Sequence, residues 1–262
     1  MIDCSLIIPF KSTRVDNLHQ TLRFFAFEDI AKKTELILVC QDNFVLNKNY
    51  DFHSTKILNL NSIQYCRSKM CNIGVLNSSS ENLILLDSDR ILDRGYFTKV
   101  VYSLDKDACV TTKNLWKAYG PLSDEQIISG SYQAIMDHRS MSNTMQRKSM
   151  FSGNTVLKKD LYIRAGMMDE SYVGYGYQDI DFTKKMMTMK KKMIYLQDKE
   201  LHLWHRRDDE KAENNQTILN GIKYCKKWNL KPDEELIWFG EDIGVNVFEN
   251  LSSQNHPDNF MI

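Results

Sequence analysis

Three short stretches of this chain, Cys4–Phe10, Glu35–Gln41 and Asn82–Leu86, are apolar almost without a break and lack the alternation of a strand with one wet face. Such strands must be covered on both sides, as in a parallel sheet sandwiched between helices. The segments between them supply the covers. Asp16–Lys33 spaces Leu18, Leu22, Phe25 and Ile30 at helical intervals, with Asp16 or Asn17 as N-cap. Cys66–Leu76 sets Met70, Ile73 and Leu76 on one side, and Lys56–Leu60 reads as a weaker strand. The alternation predicts an α/β fold with a Rossmann-like, mostly parallel central sheet. Ligands of such sheets sit beyond the carboxyl ends of the strands.

The second half is less regular. Asp107–Leu115 reads as a strand, Ser123–Asp137 as a helix, and His138–Ser149, polar and aperiodic, as a mobile loop. Phe151–Leu157 is a strand entering a helix that ends at Gly166. Helices follow at Asp179–Met193 and Ala212–Trp228, separated by the short segment Leu201–Arg207. Without a repeat or long linker, residues 1–228 read as one domain. Residues 229–262 read as a C-terminal extension whose Trp238, Phe239 and Phe248, with Trp228, are expected to pack on it, a dimer contact being the alternative use. Lys plus Arg and Asp plus Glu both number 34, so the net charge is zero, which argues against nucleic acid as a partner. The six cysteines are scattered without metal or disulfide spacing and read as reduced thiols. No signal peptide and no apolar window of about 18–20 residues is visible, so the expected location is the cytoplasm.

Chemistry-bearing residues gather at three places. Asp87 and Asp89 follow the apolar run that ends at Leu86, and on an extended backbone both face the same way. A hard divalent cation carrying a diphosphate takes such oxygens, although an Asp-Ser-Asp turn that merely ends a strand reads the same. Tyr172–Asp181 contains two glycines, three tyrosines and two aspartates just before a helix. Tyrosine offers a sugar ring a flat face and a hydroxyl. Asp179, at the helix N-terminus, is suited to stay ionised and act as a general base; either Asp179 or Asp181 also suits an N-cap. His202 and His205 would face opposite ways on a regular strand, so joint metal binding needs a turn or bulge there. Two ordinary buried histidines are the alternative. Imidazole among oxygen ligands suits Mn²⁺ better than Mg²⁺. Arg206, Arg207 and Lys211 could meet a diphosphate or lie in water. Lys184, Lys185 and Lys190–Lys192 form a solvated face or a contact for anionic lipid headgroups.

In this order the pieces resemble the β-1,4-galactosyltransferase family and its bacterial relatives, metal-dependent inverting glycosyltransferases of the GT-A fold, from residue 5 to about 217. Ser5–Lys11 is similar to the family's opening strand and its Ile-Pro-Phe-Arg, and Tyr65–Gly74 to its Phe-Asn-Arg-Ala-Lys-Leu-Leu-Asn-Val-Gly helix. Asp87-Ser88-Asp89 falls where Asp-Val-Asp falls, and Phe151-Ser152-Gly153 where Phe-Gly-Gly falls. Gly174–Asp179 is similar to Gly-Trp-Gly-Gly-Glu-Asp, and His202-x-x-His205 to Met-x-x-His. The resemblance implies a nucleotide-binding half to about residue 104 and an acceptor and catalytic half over about 105–228. It implies Asp89, His202 and His205 as ligands of Mn²⁺, or of Mg²⁺ in its place. Pro9, Phe10, Lys11, Arg14, Asp42, Tyr65, Arg67, Asp87 and Gly153 would hold the UDP-sugar. Tyr175, Gln178 and Asp179 would meet a saccharide or lipid-linked glycan acceptor, with Asp179 as the base.

Four positions depart from the family. Gln178 replaces a glutamate, Tyr177 replaces a glycine, the second arginine of the opening segment is displaced to Arg14, and Met150 stands where a tyrosine restricts animal members to galactose. A flexible thioether there would admit an N-acetyl group, so UDP-galactose and UDP-N-acetylgalactosamine are the expected donors, and a bacterial surface polysaccharide the expected product. Two other classes compete. A sugar nucleotidyltransferase needs a glycine-rich loop after its first strand, and Lys11–Asp16 contains no glycine. A non-catalytic, glycosyltransferase-like sugar-binding subunit is favoured by the loss of the glutamate at Gln178 and would release no UDP.

Overall fold

The computed structural model describes residues 1–62, 64–136, 150–205 and 210–231, with backbone alone at 210–214. The loop expected over His138–Ser149, Arg206, Arg207, the Lys211 side chain and the aromatics Trp238, Phe239 and Phe248 lie outside the described residues. Nine described strands form one sheet: β1 (Cys4–Phe10), β2 (Thr34–Cys40), β3 (Ser54–Asn59), β4 (Asn82–Leu86), β5 (Arg90–Leu92), β6 (Ala108–Ala118), β7 (Ala134–Met136), β8 (Asn154–Lys158) and β9 (Lys192–His202). Their order is β3-β2-β1-β4-β8-β6-β9-β5, with β7 added to β6. β3, β2, β1 and β4 run parallel, and β8 enters antiparallel to both β4 and β6. The longest pairings, β6 with β9 and β1 with β2, are parallel.

The apolar runs are two-faced strands. Leu6, Ile8, Leu36, Leu38, Ile84 and Leu86 point to one core, where α1 (Val15–Phe25) supplies Leu18, Leu22 and Phe25 and α3 (Tyr96–Ser103) supplies Tyr96, Phe97, Val100 and Val101. Their neighbours Ile7, Ile37, Val39, Leu83 and Leu85 point to the other, covered by Met70, Cys71 and Val75 of α2 (Arg67–Leu76). The period-2 pleat distributes one continuous apolar run between both cores.

The structure corrects several expected boundaries. The helix expected over Asp16–Lys33 ends at Phe25, and its N-cap is Arg14, with no side-chain cap. Ile30 is still buried, but by a turn that leads into the 3-10 segment Ala31–Lys33. The helix expected over Ser123–Asp137 is only α4 (Asp124–Ser129), opened by a Ser123–Gln126 capping box and stopped by Gly130 in the left-handed region at φ 70°. Beyond α5 (Lys159–Arg164), α6 spans Gln178–Thr188, and residues 192–193, expected to end that helix, instead start β9. Lys190, at φ 53°, marks the reversal between them. α7 (Glu210–Trp228) follows as expected.

Candidate active site

β1 and β4 pair only over Ser5–Ile7, and further along comes Pro9, whose nitrogen has no hydrogen to donate. This is where the strand order turns from β2 to β4 around β1, the place at which ligands of such sheets bind. β4 ends at Leu86 and the chain bends. The Asp87 N–H donates to Gly153 O at 2.7 Å, and the Gly153 N–H donates back to Asp87 Oδ2 at 3.2 Å. Arg67, nearly buried at the start of α2, donates through Nε at 2.8 Å and lies at 2.6 Å through Nη2 from Asp87 Oδ1. Arg67 is thus committed first to a protein carboxylate.

Asp89 goes elsewhere. β5 pairs antiparallel with β9 so that Arg90 lies opposite His202, and the Leu203 N–H donates to Asp89 O at 2.9 Å. This register brings the Asp89 carboxylate beside the end of β9. The strand stops at His202, and Leu203–His205 run on as irregular chain, with Asn17 Nδ2 donating to Trp204 O at 3.1 Å. Leaving the strand there lets both imidazoles face the same side. Asp89 Oδ2 lies 3.4 Å from His202 Nε2 and 3.2 Å from His205 Nε2, and the two ring nitrogens are 3.3 Å apart. A divalent ion held at about 2.1 Å separates neighbouring donors by about 3.0 Å in an octahedron and 3.5 Å in a tetrahedron. The three atoms fit one first coordination shell. Burial and the nearby Arg90 guanidinium hold His202 below the ordinary imidazole value, which keeps it neutral and ready to ligate. Burial opposes ionisation of Asp89, but hydrogen bonding from the His202 and His205 rings and the Arg90 charge outweigh it and hold the carboxyl well below its usual range.

The glycine-containing loop is fastened from two sides. The Gly174 N–H donates to Tyr65 O at 2.8 Å, which ties the loop to the start of α2. From α7, Asn220 Nδ2 donates to the carbonyls of Val173 (2.9 Å), Tyr175 (3.0 Å) and Gly176 (3.2 Å). Gly176 is at φ 93°, and a Cβ there would press on the Thr217 methyl of α7. Tyr175 is left 56 % exposed, as a face for a ligand requires, while Tyr177 and Gln178 are buried. Gln178 Oε1 has no hydrogen-bond partner among the described residues. Neither aspartate is the N-cap: that position is Tyr177, at φ 68° with no side-chain cap. Asp179 is half-buried on the first turn of α6, and its charge acts on Arg67, as that of Asp87 does more strongly. Asp181 is fully buried and accepts from Trp228 Nε1 at 2.7 Å and Lys227 Nζ at 2.9 Å.

Other expected site residues lie on neighbouring segments. Lys11 Nζ lies 5.0 Å from the centre of the Tyr65 ring, and burial, then the Asp87 charge, push the Tyr65 phenol above its usual range. Asp42 Oδ2 accepts from Ser12 Oγ at 2.8 Å, in the turn that also contains Arg14. The Phe10 ring is buried edge-on against Phe44, so it faces the core and offers no exposed face to a donor. Met150 is likewise fully enclosed in the core with Phe151 and Phe182, which corrects the expectation of a thioether open to a donor sugar. Of the lysines on and after α6, Lys185 turns inward to Met167 O and Lys191 pairs with Asp107, so they do not form one exposed face. A cavity of about 690 Å³ lies at the β6–β7 hairpin between Tyr119 and Tyr132, and it includes none of Asp89, Asp179, His202 and His205.

No protein-family model and no curated protein sequence matches the chain. Its architecture does match solved structures. GalNAc-T7, solved with UDP, GalNAc and Mn²⁺, superposes with a TM-score of 0.56 over 98 % of this chain at 12 % identity. S. aureus TarS 1–349, in complex with UDP-GlcNAc, gives 0.55 over 85 % at 12 % identity. The fold is GT-A. The chain spans 57 % of the GalNAc-T7 structure and 66 % of the TarS one. A Drosophila β-1,4-galactosyltransferase 7 aligns over 75 % of this chain at 14 % identity, but its TM-score of 0.47 carries no argument for this GT-A chain. Among the described residues no helix of the GT-A structure is long and apolar enough to cross a membrane.

Proposed function

We propose that this chain is a metal-dependent inverting glycosyltransferase that moves galactose or N-acetylgalactosamine from a UDP-sugar to a saccharide or lipid-linked glycan acceptor. The observation that carries the reading is the meeting of Asp89, His202 and His205 at the carboxyl end of β4 in a GT-A fold. Two imidazoles and one carboxylate favour Mn²⁺, with Mg²⁺ the alternative. A cation held there would offset the charge that grows on the departing diphosphate. Lys11, Arg14, Asp42, Tyr65, Arg67 and Asp87 are the side chains assigned to the donor, with Arg67 fixing the Asp87 carboxylate for that contact. Tyr175 is the exposed platform for the acceptor ring. Asp179 takes the proton of the attacking hydroxyl, and attack from the side opposite the diphosphate inverts the anomeric centre. Surface-polysaccharide assembly, with the exposed Lys190 and Lys192 near anionic lipid, follows from the resemblance.

The test is UDP release from UDP-galactose and UDP-N-acetylgalactosamine with Mn²⁺, in the presence of saccharide acceptors. Asp179→Asn should lower transfer by at least about a hundredfold, the usual contribution of a general base, and leave donor affinity within about twofold. Release of no UDP from any nucleotide sugar would replace this reading with that of a sugar-binding subunit, which the glutamine at 178 in place of the family's glutamate favours.

A further inference from the structure

Behind the Asp89–His202–His205 cluster lies a second charged pair that takes no part in the transfer chemistry. Arg90, on β5, places Nε 3.3 Å from Asp89 Oδ1 and Nη1 3.4 Å from Glu200 Oε1 on β9. Both side chains are enclosed, with 8 % of Arg90 and none of Glu200 exposed. Glu200 is locked in place: its Oε2 accepts from Thr112 Oγ1 and from Asn154 Nδ2, each at 2.5 Å, and Asn154 Oδ1 accepts from the Tyr96 hydroxyl at 2.9 Å. Gly153, at φ 92°, closes over the pair, and a Cβ there would collide with Glu200 Oε1 and lie 3.2 Å from the guanidinium. The same glycine holds Asp87 through its backbone.

A guanidinium beside a ligating carboxylate has two opposed effects. The contact is an ion pair without hydrogen-bond geometry, so its charge draws Oδ1 and leaves Oδ2 to both histidines, but the same positive charge repels a dication. A buried carboxylate on its far side cancels the second effect and keeps the first. We propose that Glu200 is the counter-charge that lets Arg90 orient Asp89 without repelling the cation, which makes Arg90 and Glu200 positioning residues of the site. This rests on the metal-dependent reading above.

The experiment titrates Mn²⁺ into the full chain and follows the free-ion signal by electron paramagnetic resonance, with near-ultraviolet circular dichroism as the check on folding. Glu200→Gln keeps the shape and leaves Arg90 uncompensated, so Mn²⁺ affinity should fall about tenfold or more. Arg90→Met combined with Glu200→Gln removes both charges, and affinity should return to within about threefold of the starting protein. Recovery in the double variant is what a purely packing role would not produce. If Glu200→Gln does not fold, Arg90→Lys keeps the charge but loses the planar fork that spans both carboxylates, and it should lose about tenfold. A starting protein that binds no Mn²⁺ overturns the metal-dependent reading and this proposal with it. A starting protein that binds Mn²⁺ while the charge variants match it, or a double variant as weak as Glu200→Gln, overturns the proposal alone.

Discussion

Asp179 and Asp181 lie two positions apart on the first turn of α6, yet their surroundings give them different work. Asp179 is half-buried within reach of the Arg67 field, whereas Asp181 has its carboxylate filled by Trp228 and Lys227 of α7. Asp87 and Asp89 divide in the same way. The first is taken by Arg67 and the Gly153 backbone, and the second faces the two histidines. Removing only the charge of Asp89 therefore separates the proposed cation site from the fold. Asp89→Asn should weaken Mn²⁺ binding by about a hundredfold or more in the same spin-resonance titration. The far-ultraviolet dichroism of the variant should match that of the starting protein, because no strand pairing depends on that side chain.

At the scale of elements, the decisive contact is between α7 and the loop before α6. One amide, Asn220 Nδ2, serves three carbonyls of residues 173–176, and no other side chain holds all three. Asn220→Ala takes this donor from the Val173 and Gly176 carbonyls and leaves Tyr175 O with Thr217 Oγ1 at 3.3 Å, at a cost of about 1–3 kcal/mol. Thermal unfolding should report that loss. In acceptor kinetics KM should rise several-fold with the Mn²⁺ requirement unchanged, since α7 braces the Tyr175 platform and not the histidines. An unchanged acceptor KM in a destabilised variant would confine α7 to a role in stability.

Across the whole molecule, one carboxylate joins the parallel half of the sheet. Glu35 on β2 accepts from Ser5 Oγ of β1 at 2.7 Å and from the Ser79 N–H before β4 at 2.8 Å, and Lys56 Nζ of β3 lies 2.6 Å away. Burial raises its pKa, but those three partners outweigh it and lower the group to about 2 from an ordinary 4.5. A carboxyl depressed in the folded state stabilises at pH above its unfolded value and loses that contribution as pH falls toward its folded one. Roughly 3 kcal/mol should therefore disappear between pH 4.5 and 2. Urea unfolding at a series of pH values should show this slope, and Glu35→Gln should flatten it while lowering stability at neutral pH.

The amino-acid sequence by itself determined the two-faced strands and the place of the Asp87–Asp89 pair, because side-chain period and a run's end are local properties. β1, β2 and β4 and the site at the end of β4 were legible for that reason. β9 was not: Lys192–His202 mixes charges with apolar residues and follows a helix, so only pairing with β6 and β5 makes it a strand. Tertiary structure alone decided which carboxylate each cation meets. The β5–β9 register sets Asp89 beside His202, the irregular chain after His202 brings in His205, and packing of α2, α7 and Gly153 assigns Arg67, Asp181 and Glu200 their partners. Those groups are 20 to more than 100 residues apart in the chain, and no local pattern encodes a distance that only the closed sheet creates.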